Sequence, residues 1–269
     1  MFVVLRLLAF AGLISFCLGS AASAMPENIG RADRVKNTVT GQLGGKRTRL
    51  KVGTSVFRKQ RIRARANSSA QIRFKDDTRL AVNANASVVL DKAVFSGKKP
   101  KSLVLKAARG AFRFASGNLR KDAYKIITPS STVGVRGTMM DVFVGGRGET
   151  IILLLQGRLQ ACNKAGQCRV LSNPCDCVRI ERNGRMTVSR GLTRAVLRGN
   201  RAKRVAPFMF YQSQLLNSMK VNRWIVRRCV DAANPEGYDF NGDPADNDGP
   251  SGPPQGGGGG RGGGGEGDP

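Results

Sequence analysis

Thr128-Pro-Ser-Ser-Thr-Val-Gly-Val-Arg-Gly-Thr-Met-Met-Asp-Val-Phe-Val144 decides how this chain is to be read. Proline at 129 fixes its own φ and biases Thr128 toward extended backbone. Gly134 and Gly137 then bracket Val135-Arg136, and beyond them Met140, Val142 and Val144 alternate with Asp141 and Phe143. That alternation is the period of a strand with two unlike faces. Two glycines inside such a run predict a strand that turns a corner into another strand.

Working outward, the same rhythm recurs on both sides. Downstream, Glu149-Thr150 leads into Ile151 to Gln156 and then Gly157. Ile151 to Leu155 is apolar throughout, as expected of a strand buried on both faces. Upstream, Gln71 to Asp91 reads as a hairpin with Ile72, Phe74, Leu80, Val82, Val88 and Leu90 in the core. Asp76-Asp77 are turn residues, because neighbours in a turn cannot flank a scissile bond as a catalytic carboxylate pair does. Leu103, Leu105, Ala111, Phe112 and Phe114 continue the strand pattern past the basic loop at 97–100.

Thr128, Pro129, Gly134, Val135, Arg136, Gly137 and Thr138, with the strands that follow, resemble the signature of the FecR domain family. The hairpin at 71–91 and Gly110-Ala-Phe-Arg-Phe114 extend the resemblance, which places about residues 30–182 inside the domain. Asp77 stands where the family has the glycine of its turn, and aspartate tolerates the left-handed region better than most residues. The resemblance implies an envelope-side module. The family's iron-transport regulators also carry a sigma-factor-binding cytoplasmic segment and a membrane span. Neither is visible here, so direct sigma-factor contact is not expected.

Arg6, the apolar run Leu7 to Leu18 and Ala22-Ser-Ala24 read as a signal peptide cut before Met25, hence a periplasmic or secreted protein. From 25 to 230 there are 43 basic and ten acidic side chains, a net of +33, whereas 231–269 carries −7. A body this basic attracts polyanions through its summed field. Lys59, Arg61, Arg63 and Arg65 recur at period two, so one strand face would carry all four as a polyanion-binding surface or a solvated edge.

Five cysteines follow the leader: Cys162, Cys168, Cys175, Cys177 and Cys229. Export favours disulfides over metal. A hairpin tipped by Gly166 could join Cys162 to Cys168, leaving Cys229 for Cys175 or Cys177 and one thiol over. No cofactor or metal is expected. Asp239-Phe-Asn-Gly-Asp243 fails as a calcium loop, with Pro244 where glycine is needed and Pro250 where glutamate is. Gly134 to Gly137 also fits the G-x-x-G of a nucleic-acid module, but that loop joins helices, so no specific nucleic acid is expected.

Phe208, Tyr211, Leu215, Met219 and Trp224-Ile225 recur near helical spacing after Pro207, predicting one helix over roughly 207–230. Its apolar stripe suits the β-domain better than a membrane, and Arg136 is expected to pair with a nearby carboxylate, Asp141 being a candidate, or to cap backbone carbonyls. The sequence thus predicts a mainly β chain of about ten to thirteen strands, a curved sandwich or solenoid-like stack. Its expected parts are a leader (1–24), a β domain (25–185), a helical extension (186–232) and a Gly/Pro/Asp-rich disordered tail (233–269). The chain has no histidine, removing the usual general base and its nucleophile pairs. The expected function is a non-enzymatic binding or scaffold module. Its partner would be an envelope protein or an anionic polymer such as a polysaccharide or lipopolysaccharide. A signalling partnership with an outer-membrane receptor is the remaining alternative.

Overall fold

Three long strands carry the architecture: β9 (Lys99–Ala115), β11 (Ser131–Val144) and β12 (Thr150–Asn163). The computed structural model describes residues 26–96, 99–119 and 123–230. The predicted leader, the tail and the rejected calcium loop at 239–243 lie outside them. Fifteen strands form one continuous hydrogen-bonded sheet, more than the sequence predicts because several have only three to five residues.

Each long strand serves two layers. The first half of β11 pairs with β10 (Tyr124–Ile127), through Tyr124–Val135 to Ile127–Thr132. Its second half pairs with β9, through Met139–Ala115 to Val144–Gly110. In the same way β12 uses Thr150–Leu153 against β14 (Asp176–Ile180) and Leu159–Cys162 against β13 (Cys168–Leu171).

Layer one contains β15 (Met186–Arg190), β14, the halves 150–156 of β12, 139–144 of β11 and 110–115 of β9. It continues through β7 (Arg79–Val82), β6 (Ser69–Phe74), β1 (Asn28–Lys36) and β4 (Ser55–Phe57). Layer two runs from β13 through the other halves of β12, β11 and β9, with β10, to β8 (Ser87–Ser96), β5 (Arg61–Ala64), β2 (Val39–Leu43) and β3 (Lys46–Arg49). Ile72, Leu80, Phe112, Val142 and Ile152 from layer one pack with Val39, Ile62, Val88 and Leu105 from layer two in one core. All six core positions predicted for the 71–91 hairpin are buried. Leu50 is buried too, but Val52 is exposed because the chain leaves β3 at Arg49 for a turn.

The strand crossings explain the glycines of the defining stretch. Gly137 (φ +58°) makes the bulge at which β11 changes partner. Opposite it Gly157 (φ +84°) bends β12, and a Cβ on Gly157 would lie 1.9 Å from the Gly137 carbonyl oxygen. Thr138 pins the bulge: its hydroxyl donates to the Arg158 carbonyl at 2.6 Å and accepts from the Arg136 amide at 3.0 Å. The corner is thus made by Gly137; Gly134 sits in the strand with open space around it.

The outer face of layer one is covered by residues 192–230. The predicted single helix is broken there. After α1 (Arg194–Leu197) and α2 (Ala202–Val205) come α3 (Pro207–Phe210), two 3₁₀ turns at 212–214 and 217–219, and α4 (Arg223–Val230). The backbone departs from helix at Tyr211, Leu215 and Lys220, so that Phe208, Leu215 and Met219 can reach Ala81 and Ala115 of the sheet. Val226 and Cys229 pack with Ile151, Leu153 and Leu155, which accounts for the double burial of that run. Among the described residues no helix is long and apolar enough to cross a membrane.

Two disulfides are formed. Cys162–Cys168 closes the β12–β13 hairpin, and Cys175–Cys229 ties the covering segment to the strand edge. Cys177 is the free thiol, buried within β14. Burial pushes it up to about 12, with Asp176 adding to the shift.

Candidate functional site

The outward face of layer two is built from arginines. Thr40 faces Arg49 on one side and Arg63 on the other, Arg63 faces Ser87, and Ser87 faces Arg109. The adjacent row runs Arg47, Gln42, Arg61, Val89 and Lys106. Directly opposed residues in a sheet share a face with Cβ atoms about 5 Å apart. Two cross-strand rows therefore gather five arginines drawn from positions 47 to 109.

Ile62 and Ala64 point the other way, into the core, which fixes Arg61 and Arg63 outward. Arg47, Arg61, Arg63, Arg65 and Arg109 line an open groove of about 1040 Å³, its remaining walls supplied by Asn, Ser, Thr and Ala side chains. No carboxylate lines it. Among the described residues none of these arginines forms an ion pair, and only Lys106, at the margin, has an acidic partner, Asp91 at 3.0 Å.

The four cations read from the sequence are therefore not equivalent. All are exposed, but only Arg61 and Arg63 lie in β5. Arg65 follows the strand and still lines the groove. Lys59 occupies a turn (φ +64°) and does not line it, since the strand starts two residues later than the period suggests. Sequence reading missed Arg47, Arg49 and Arg109. Arg47 and Arg49 share a period-two signal, whereas Arg109 reaches the face only through the long β8–β9 pairing.

Other charged groups are engaged in structure. Asp141 does not meet Arg136, which is exposed; it is paired with Arg113 across β9–β11. Arg113 donates through Nε and Nη2 to the two Asp141 oxygens at 2.6 and 2.7 Å, and Nη1 donates to the Met219 carbonyl. This pair is buried under the 192–230 cover, with Phe208 beneath the guanidinium. Asp76 is likewise buried and accepts from the Thr78 hydroxyl at 2.5 Å and the Tyr124 hydroxyl at 2.8 Å. Burial first, then Asp76, pushes the Tyr124 phenol up to about 12, against the opposing pull of Thr78 and the Leu119 amide. Asp77 holds the left-handed turn position at φ +65°.

Thr128 and Pro129 form the β10–β11 turn. There the Ser131 amide donates to the Thr128 hydroxyl at 2.9 Å, and the Ser130 hydroxyl donates to Thr150 at 2.8 Å. The motif residues thus build a corner and a turn. Among the described residues no cluster of cysteine and acidic side chains could hold a metal ion.

Residues 60–160 match the family model described as FecR protein. The chain carries a FecR domain. The matched segment runs from the cationic strand through all three crossings, and the strands outside it, β1 to β4 and β13 to β15, complete the same sheet. The chain is similar to two crystal structures, at 1.65 and 2.50 Å resolution, of a candidate anti-sigma factor from Parabacteroides distasonis ATCC 8503. Identity is 15%, the TM-score 0.41, and the alignment covers 48% of this chain and 59% of that one. No curated protein matches the sequence.

Proposed function

We propose that this FecR-domain protein is a non-catalytic binding module of the cell envelope, serving sensing or scaffolding in the periplasm after removal of residues 1–24. The FecR domain supports a regulatory role met by a partner. The arginine groove is the observation that carries the choice of surface, because it concentrates unpaired charge on one rigid sheet face. Its walls supply guanidinium, amide and hydroxyl groups, which bind and orient but offer no nucleophile activated by a base. A protein partner and an anionic envelope polymer both fit that chemistry, and the charge pattern favours the polymer.

The test is capture of partners from envelope extract by residues 25–269 at low and high salt, beside an Arg61→Glu/Arg63→Glu/Arg65→Glu variant. Loss of the captured material with salt and with the variant identifies the groove as the surface. A stoichiometric protein retained through both would move the site elsewhere on the domain.

A further inference from the structure

The groove does not end at layer two. Asn37 and Ser68 line both it and a second groove of about 860 Å³ that runs beneath the C-terminal cover, where Lys36, Arg201, Lys203, Arg204 and Tyr211 contribute. The two adjoin at these residues and form one track with cations lining both parts. Repeated cations on a continuous path suit a linear ligand with repeated anions better than a single small molecule.

At the floor of the first groove lies Ser87, nine-tenths buried between Arg63 and Arg109. Its hydroxyl has no hydrogen-bond partner within the described protein. A buried polar group left unpaired is costly and calls for a partner. Arg109 is already oriented, its Nε donating to the Asn85 carbonyl at 3.2 Å, which leaves the other guanidinium nitrogens for a ligand. A hydroxyl donor flanked by two guanidiniums is a seat for one oxyanion.

Resting on the envelope-binding reading above, we infer that this track binds a linear acidic polysaccharide, with one carboxylate seated at Arg63, Arg109 and Ser87. A single-stranded nucleic acid stacks successive bases on aromatic rings; Tyr211 is the one ring lining either groove. Membrane docking uses exposed apolar side chains beside the cations; the first groove presents alanine as its only apolar residue. Hydroxyl- and amide-rich walls with a lone exposed tyrosine match sugar hydroxyls and a sugar face.

The probe is polygalacturonate, a linear carboxylated glycan, titrated into residues 25–269 by calorimetry. Dextran serves as neutral control, and phosphatidylglycerol vesicles present the competing anion source. The prediction is binding to polygalacturonate and not dextran, weakened about tenfold or more by Arg63→Ala/Arg109→Ala and severalfold by Ser87→Ala. The remote pair Arg185→Ala/Arg190→Ala removes the same charge and should weaken it by less than twofold. Equal loss in both double variants would overturn the seat in favour of net charge. Vesicle binding abolished by Arg63→Ala/Arg109→Ala, without polygalacturonate binding, would overturn the glycan assignment. Binding to none of the probes would overturn the inference while leaving a protein partner for the domain.

Discussion

Arg113 and Asp141 are the residues whose environment the alternating pattern conceals. Layer one has apolar residues on both faces, yet it carries this pair on its covered side, where no water reaches it. Removing one partner of a buried pair leaves a charge uncompensated, at about 3–5 kcal/mol. Asp141→Asn should therefore lower stability by that order in urea unfolding, and Arg113→Met/Asp141→Leu should recover most of it. Tyr124 offers a second check. Its folded phenol near 12 lies above the ordinary 10.0, so its contribution is whole below pH 10 and disappears as pH rises from 10 to about 12. Ultraviolet titration should show one phenol ionising near pH 12, and Tyr124→Phe should remove that step.

At the scale of elements, the long strands depend on their crossings and the C-terminal cover depends on its tether. Gly157→Ala would set a side chain into the Gly137 carbonyl at a positive φ, so the backbone must move. The expected loss is at least 1–3 kcal/mol, the usual cost of a strained backbone residue, read from the denaturation midpoint. Cys175–Cys229 closes a separation of 54 residues, for which about 2–4 kcal/mol is typical. Cys229→Ser should lower the thermal midpoint and speed hydrogen exchange at 223–230. It also frees the Cys175 thiol, so a disulfide reagent should label more than one cysteine in the native variant. None is expected to react in the native parent, where the only free thiol among the described residues, Cys177, is buried. The failure of a single helix at 207–230 belongs here as well. Helical spacing predicts that Phe208, Leu215 and Met219 share a face, but their packing on Ala81 and Ala115 of the sheet sets where the backbone must break.

For the whole molecule, the dominant quantity is charge. The body's +33 repels itself, and only a few described pairs, such as Arg73–Asp33 at 2.8 Å, offset it locally. Screening should therefore stabilise the fold: the thermal midpoint of residues 25–269 is expected to rise by several degrees between about 10 and 150 mM salt, as the Debye length falls from roughly 30 to 8 Å. A midpoint independent of salt would mean the charges are already dispersed beyond each other's reach.

Local rules determined much of this protein. Alternation, β-branching and turn residues gave its strands and the six core positions of the 71–91 hairpin, and the spacing of Cys162 and Cys168 about Gly166 marked their hairpin. The cationic period at 59–65 located one strip of the groove. Only the tertiary structure joined that strip to Arg47, Arg49 and Arg109, left Lys59 aside, and paired Asp141 with Arg113 instead of the nearer Arg136. The physical reason is common to all three. Periodicity within a strand says which residues share a face, but opposition across strands is set by register and by the crossings at Gly137 and Gly157, which bring together residues dozens of positions apart.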